Sequence, residues 1–285
     1  MKYTRIIPRL DIKGPNLVKG IHLEGLRVLG KPEDFARLYF DQGADELIFQ
    51  DTVASLYQRN NLTEIVTRTA ENIFIPLTVG GGIRTLDDIN AVLRAGADKV
   101  AINTAAIGNP DFINHASRVF GSSTIVIAIE AIRQPDGSFQ AYTDNGREYT
   151  GIDVLAWVRE AEQRGAGEIL LTSIDCEGTG KGFDLDLVKM VSDAVSIPVI
   201  AHGGASSKPH IAQVLKDGGA DAVALASILH YSALNRDGDL SGGYQGEGNV
   251  EFLKNNRSYK MFGTENLAEV KSWLAENGIA LREAQ

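Results

Sequence analysis

The chain has little cysteine and no excess of basic residues. Its 285 residues include one cysteine, Cys176, so an intramolecular disulfide is excluded, and no histidine lies near enough in the sequence to suggest a nucleophile pair. With 28 Lys and Arg against 37 Asp and Glu, the net charge is -9, which argues against a nucleic-acid or anionic membrane surface. An anionic ligand must therefore be held by local groups.

Signals for export, membrane insertion and metal binding are also lacking. Charges interrupt the apolar residues between Met1 and Asp11 before a signal-peptide core forms, and no run approaches the ~20 apolar residues of a membrane span. Five scattered histidines and one cysteine give no zinc pattern. We therefore expect a cytoplasmic protein without a metal or a cofactor.

What the sequence does contain is an alternation of short β-rich runs and amphipathic helical patterns. Continuous apolar runs such as Ile125 to Ile129 are typical of parallel strands that are buried on both faces. Eight strands are predicted: Arg5 to Leu10, Glu46 to Gln50, Pro76 to Val79, Lys99 to Ile102, Thr124 to Ile129, Glu168 to Thr172, Pro198 to Ala201 and Ala222 to Ala226. Residues 1–285 are therefore predicted to form an α/β fold, a single (β/α)₈ barrel.

The chain also repeats itself at a spacing of about 122 residues, half of the predicted barrel. Pro76 to Gly82 matches Pro198 to Gly204, and Gly96 to Val100 matches Gly219 to Val223. Such a repeat predicts two similar half-barrels, in which each site at a strand end occurs twice.

Glycine clusters follow the third and the seventh predicted strands. Because glycine has no Cβ, its backbone amides can approach an anion closely, although glycines can also simply form tight turns. Two clusters in equivalent halves, each with small polar residues after the next strand, predict a ligand with a phosphate at each end. The predicted substrate-binding residues lie at these strand ends and in the loops beside them: Lys19, Gly82, Asn103, Thr104, Thr172, Asp175, Gly178, His202, Gly203, Gly204, Ala226 and Ser227.

Two carboxylates, Asp11 and Glu130, end the first and the fifth predicted strands on opposite sides of the barrel mouth. Such a pair suits a base and an acid, although each group could instead accept hydrogen bonds from a neighbouring loop. Lys19, in the first loop of this face, is either a substrate ligand or an exposed lysine. His202 either donates to substrate or is structural.

Two segments exceed a minimal barrel. Residues 135–150 alternate polar and aromatic residues around Asn145-Gly146, which predicts a hairpin after the fifth strand. Residues 232–263 are polar and glycine-rich, and they predict an insertion between the eighth strand and the eighth helix. We expect this insertion to cover the mouth as a flap, the alternative being a mobile surface segment. Thr264 is the expected N-cap of the last helix, Glu265 to Asn277.

Several stretches resemble the cyclase subunit of imidazole glycerol phosphate synthase, over residues 1 to about 231 and about 264 to 282. The matching stretches are Arg5 to Pro8, Leu10-Asp11, Val18 to Gly20, Thr78 to Ile83, Ala97 to Val100 and Gly165 to Asp175. The resemblance implies a lyase of histidine and amino-acid biosynthesis, which uses ammonia from a glutaminase (glutamine amidotransferase) partner in a heterodimer.

In that family the ammonia passes through the barrel to a bisphosphorylated ribonucleotide. The products are imidazole glycerol phosphate and an aminoimidazole carboxamide ribotide. The resemblance implies that Asp11 is a catalytic base and the carboxylate at position 130 an acid. It also implies an ammonia gate and partner face formed by Arg5, Glu46, Asp98, Lys99 and Glu168. The same charges could also be ordinary salt bridges at the barrel bottom.

The departures from the family pattern lie at the substrate face. Glu130 stands where the family has aspartate, Pro15 stiffens the loop after the first strand, His202 replaces a small serine, and residues 232–263 have no family counterpart. The ammonia acceptor is therefore the open question. A paralogue that forms an amidine on a nucleotide-linked sugar for surface polysaccharide is one alternative. A non-catalytic barrel that activates a glutaminase is another.

Overall fold

The computed structural model describes residues 3–54, 62–236, 240 and 265–282, and within these ranges eight parallel strands close into a barrel. The order around the barrel is β10, β11, β12, β1, β4, β5, β6 and β7, and pairing of β7 with β10 closes it. In chain order the strands are β1 (Arg5–Lys13), β2 (Asn16–Ile21), β3 (Glu24–Gly30), β4 (Leu47–Asp51), β5 (Leu77–Gly80), β6 (Lys99–Ile102), β7 (Ile125–Arg133), β8 (Phe139–Thr143), β9 (Glu148–Asp153), β10 (Glu168–Ser173), β11 (Val199–His202) and β12 (Ala222–Leu225).

Helices follow the barrel strands and cover them from outside. They are α1 (Pro32–Asp41), α2 (Leu62–Ala70), α3 (Leu86–Arg94), α4 (Thr104–Gly108), α5 (Asp111–Phe120), α6 (Val154–Gln163), α7 (Leu185–Ser192), α8 (Lys208–Lys216), α9 (Ser227–Arg236) and α10 (Leu267–Glu276). Helix α3 begins after Thr85, whose side chain accepts from the Asp88 amide at 3.1 Å in a capping box. The (β/α)₈ prediction is confirmed.

The strands bury two apolar layers, as parallel strands with helices outside require. One layer fills the barrel itself and consists of Ile7, Ile48, Ala101, Val126, Leu170, Ile200, Ala222 and Ala224. The larger layer lies between the strands and the surrounding helices. Side chains that point inward at the two ends of the barrel are therefore separated by an apolar plug.

Strands β1 and β7 are longer than predicted, because each continues beyond the carboxyl end of the barrel into an antiparallel hairpin. Asp11 pairs with Val18 of β2, and Glu130 pairs with Tyr142 of β8. The hairpin of β2 and β3 was missed by the sequence analysis, which treated this segment as a loop. The two hairpins stand on strands four positions apart in the ring, so they rise from opposite sides of the barrel mouth.

Two details near the C-terminus differ from the predictions. Residues 232–236, assigned to the insertion, instead continue α9, and the Ser232 hydroxyl donates to the Glu265 carbonyl at 2.8 Å. The N-cap of α10 is Asn266, which forms a capping box with Glu269, rather than Thr264. Apart from Leu240, the segment from 237 to 264 lies outside the described residues, so the flap stays a prediction.

Candidate active site

Asp11 and Glu130 face each other across the carboxyl end of the barrel, as the half-barrel repeat predicts. Both carboxylates are buried, and the charges of Asp11 and Arg9 influence the ionisation of Glu130. Arg9 also donates from Nε to Asp11 at 2.9 Å. The two carboxylates thus belong to one electrostatic cluster with a buried arginine, which the sequence analysis did not identify.

Asp11 is surrounded by cations. Burial opposes its ionisation, but Arg9 and Lys19, whose Nζ lies 3.1 Å from Oδ2, hold the pKa of Asp11 below its ordinary value. A carboxylate in such a pair is a weak base. Asp11 lines neither of the cavities described below, and both of its oxygens are paired, Oδ1 with Arg9 and Oδ2 with Lys19.

Glu130 has the opposite environment. Burial raises its pKa to about 7, even though Arg9 and the Gly146 amide, 2.8 Å from Oε2, favour the charged form. A carboxyl group that is half protonated near neutral pH can donate a proton. The environments of Asp11 and Glu130 therefore push their pKa values apart, as an acid and base pair requires.

A cavity of about 140 Å³ opens beside Glu130 at the ends of β4 to β6. The predicted binding residues Gly82, Asn103 and Thr104 line it, as does Asp51, whose carboxylate accepts the amides of Val53 and Ala54 at 2.9 Å. The exposed Arg84, which the sequence analysis missed, brings a cation to this cavity. The cavity thus offers backbone amides, small polar side chains and a guanidinium to an anion, while the carboxylates of Asp51, Glu130 and Asp144 on the same lining oppose it.

A second, smaller cavity of about 20 Å³ lies at the ends of β10 to β12. Six predicted binding residues line it, namely Gly178, His202, Gly203, Gly204, Ala226 and Ser227, and Ser227 begins α9. This volume holds roughly one water molecule. A phosphate group can enter only if the lining residues move apart. The Glu177 carboxylate on the wall of this cavity also opposes an anion.

The glycine clusters also have a structural cause. Gly81 and Gly204 have φ values of 100° and 102°, and a Cβ would clash with the Asp51 backbone or with that of Gly182. The backbone requires glycine at both positions whatever binds there. The cavity linings therefore support anion binding better than the glycines alone do.

Lys19 is not in an exposed loop. It lies on β2, is 1% exposed, and forms ion pairs with Asp11 and with Glu177, which is also 1% exposed. Glu177 accepts the Leu23 amide at 2.9 Å as well, so it ties the hairpin of β2 and β3 to the barrel. No sequence signal marks Glu177, because its role depends on a strand that the sequence analysis missed.

Two other predicted binding residues do not line a cavity. Asp175 is exposed and accepts the Arg133 amide at 2.8 Å, and its role in substrate binding stays a prediction. Thr172 is buried and accepts from Arg9 at 3.2 Å. Thr172 therefore belongs to the buried cluster of Arg9, Asp11 and His202.

The turn between β2 and β3 meets the turn between β8 and β9 above the mouth. Asn145 donates from Nδ2 to the Leu23 carbonyl at 3.1 Å, while the neighbouring Gly146 amide binds Glu130. The turn at Asp144 and Asn145 uses the left-handed φ values, 53° and 60°, that these residue types tolerate. The hairpins therefore shield Glu130 from solvent, and this shielding contributes to its raised pKa.

At the opposite end of the barrel the charged side chains form a closed ring of ion pairs. Arg5 lies 2.9 Å from Glu46 and 2.8 Å from Glu168, and Lys99 lies 3.1 and 3.0 Å from the same two carboxylates. Asp98 is exposed beside this ring, and its Oδ2 accepts the Leu77 amide at 2.9 Å. Asp98 therefore also has a structural task at the start of β5.

The described part of the chain shows neither a metal centre nor a membrane span. Within it, no group of three or more His, Cys, Asp or Glu side chains is arranged to hold a metal ion. No described helix is long and apolar enough to cross a membrane.

Fold and site together define a (β/α)₈ barrel with two cavities and a carboxylate pair at the carboxyl ends of its strands. A family model described as "Histidine biosynthesis protein" matches residues 5–235. The chain belongs to this family.

Its relatives include imidazole glycerol phosphate synthase subunits HisF from several organisms. The subunit from Legionella pneumophila is 66% identical over 204 residues, which cover 72% of this chain and 96% of the relative. That from Trichormus variabilis is 49% identical over 82% of this chain and 93% of its own length. That from Methanococcus vannielii is 47% identical over 81% and 92%, respectively.

Proposed function

We propose that the chain is the cyclase subunit of an imidazole glycerol phosphate synthase, a lyase of histidine biosynthesis. It combines ammonia with a bisphosphorylated ribonucleotide and releases imidazole glycerol phosphate and an aminoimidazole carboxamide ribotide. The observation that carries the proposal is the carboxylate pair, Asp11 ionised and Glu130 with a pKa of about 7, with an anion cavity on either side.

The carboxylates have distinct tasks in this proposal. Glu130 donates a proton to the leaving group, and Asp11 accepts one once Lys19 has turned from it towards a substrate phosphate. That turn exchanges one anionic partner of Lys19 for another, so the lysine stays paired throughout. Arg84 and Thr104 neutralise and orient the phosphate in the first cavity, and Ser227 with the glycine amides does so in the second.

The relatives are subunits of a larger enzyme, so a partner subunit is part of the proposal. We assign the strand-beginning face to a glutaminase. Three large apolar side chains, Tyr3, Phe74 and Val119, are 57%, 81% and 60% exposed next to strand beginnings, where a partner can bury them. The ion-pair ring would then admit ammonia when one of its pairs opens.

Turnover with added ammonium salt tests the proposal. The purified chain and the bisphosphorylated ribonucleotide should give both products without a glutaminase, and Glu130→Ala should remove this activity. Absence of both products from pH 7 to 8.5, with a folded protein, would overturn it.

One observation favours a second candidate, amidine formation on a nucleotide-linked sugar. The second cavity has only about 20 Å³, a volume that fits a smaller group better than a phosphate. A competition assay distinguishes the two: a nucleotide sugar that is consumed with ammonia while the ribonucleotide is not would establish the paralogue.

A further inference from the structure

Arg9 is a buried cation at the centre of the barrel mouth that the proposed chemistry leaves without a task. Its side chain is about 3% exposed, and Nε donates to Asp11. Nη1 lies 3.2 Å from Thr172 Oγ1 and 3.1 Å from His202 Nδ1. One guanidinium thus joins the carboxylate of β1 to the imidazole of β11.

This contact fixes the proton on the His202 ring. A guanidinium can only donate, so Nδ1 must accept, and the imidazole must be neutral with its proton on Nε2. Thr172 Oγ1, 3.2 Å from Nδ1, is the only other polar group in contact with that nitrogen among the described hydrogen bonds. The remaining polar group of the ring is therefore an Nε2–H donor.

The other charges around His202 do not reverse this state. Burial and Arg9 lower the pKa of His202 well below its ordinary value, Lys19 and His230 act in the same direction, and the attraction of Asp11 is too weak to compensate. Glu177, on the wall of the second cavity, is occupied by Lys19 and by the Leu23 amide. The ring can thus serve as a donor but carries no charge.

His202 lines the second cavity together with Gly203, Gly204 and Ser227. A donor at this place adds to the glycine amides and to the start of α9, so the wall is suited to an oxyanion. We propose that Arg9 is a positioning residue that fixes His202 as a neutral Nε2–H donor for an anionic oxygen in the second cavity. The inference rests on the proposed function for the identity of the substrate, but not for its test.

The test uses nitrogen NMR of the uniformly nitrogen-15-labelled chain, with inorganic phosphate as the probe. In the unaltered protein His202 should show the Nε2–H tautomer from pH 8 to 5.5 without titrating. A His202 ring that is protonated on Nδ1, or that titrates above pH 6, would overturn the inference even if no variant folds.

Arg9→Met removes the guanidinium but keeps an unbranched apolar chain. His202 should then lose its single tautomer and titrate at least about one pH unit higher, because a nearby cation no longer opposes its protonation. Phosphate should bind the second cavity about tenfold more weakly at pH 8, as judged from the Ser227 amide, whereas the Thr104 amide should report unchanged binding in the first cavity. Arg9→Lys should restore part of the lowering of the His202 pKa, because it keeps a cation nearby, but it should not restore the single tautomer.

Lys271→Met is the matched control. Lys271 is another buried cation, 2.8 Å from Asp45 and away from the mouth, so this variant loses stability without altering His202. If Arg9→Met keeps the tautomer and the phosphate affinity, or if Lys271→Met changes them equally, Arg9 has no positioning role. These readings need no ribonucleotide, so a failure of the cyclase proposal would leave them intact.

Discussion

At the scale of single residues, Asp11 combines a catalytic task with a structural one. Asp11→Asn should lower ammonia-dependent turnover ~10²- to 10⁴-fold, because an amide cannot take the proton. It should also lower the free energy of unfolding by roughly 3 kcal/mol, because Arg9 and Lys19 stay buried with one carboxylate fewer. Single-turnover kinetics and urea denaturation measure the two effects.

Glu177→Gln is the comparison for Asp11, since it also removes a buried carboxylate from Lys19. It should reduce the free energy of unfolding to a similar extent but leave Asp11, the proposed base, unchanged. Full activity of Asp11→Asn would show that Asp11 is structural.

Glu130 makes the stability of the protein depend on pH. Its folded pKa of about 7 lies above the ordinary 4.5, so the folded state keeps the proton longer, and burial of the charge destabilises the fold increasingly from about pH 4.5 to above pH 7. Glu130→Gln removes that charge and still accepts the Gly146 amide. It should raise the free energy of unfolding by up to about 3 kcal/mol at pH 8 and by little at pH 4.

In a plot of turnover rate against pH, Glu130 should produce a falling limb near pH 7, because a proton donor is lost as the pH rises through its pKa. Glu130→Gln should remove this limb together with most of the activity. A pH profile of the unaltered chain that stays flat from pH 6 to 8 would contradict the assignment of Glu130 as the acid.

At the scale of elements, the two hairpins shield the acid. Asn145→Gly removes the hydrogen bond to Leu23 without strain, because glycine tolerates the left-handed backbone at φ 60°. Stability should fall by about 1 kcal/mol. Water that enters between the tips should bring the pKa of Glu130 down towards its ordinary value, which a shift of the falling limb to lower pH would reveal.

Asp136→Gly, in the exposed turn between β7 and β8, is the matched control for Asn145→Gly. Asp136 accepts from the Ser138 amide at 3.0 Å and lies in the turn at the other end of β8. The control should cost a similar amount of stability and leave the pH profile unchanged. An equal shift of the profile in both variants would mean that the tips do not shield Glu130.

At the scale of the whole molecule, an apolar plug separates the ion-pair ring from the substrate mouth. Lys99→Ala opens two of the four pairs and leaves Glu46 and Glu168 with Arg5 alone. With a glutaminase present, glutamine-dependent product formation should fall at least about fivefold relative to glutamine hydrolysis, while turnover with added ammonia should stay within about twofold. An equal loss with both nitrogen sources would show that the ring only stabilises the barrel.

Sequence patterns determined the barrel and the ends of its strands. Apolar runs, glycine turns and the half-barrel repeat depend on local chemistry, so they suffice to place Asp11, Glu130, part of the lining of the first cavity and most of the lining of the second at the carboxyl ends of the strands. The resemblance to the cyclase family contributed the function, which composition could not.

Only the tertiary structure decided which charges meet. Arg9 and Glu177 looked like ordinary polar residues, yet the barrel brings Arg9 to His202, 193 positions away, and Glu177 to Lys19, 158 positions away. The antiparallel hairpin of β2 and β3 turned an expected loop lysine into a buried ion pair. The sequence by itself therefore determined the fold and the position of the site, whereas the protonation states within it depend on burial and long-range contacts, which no local pattern encodes.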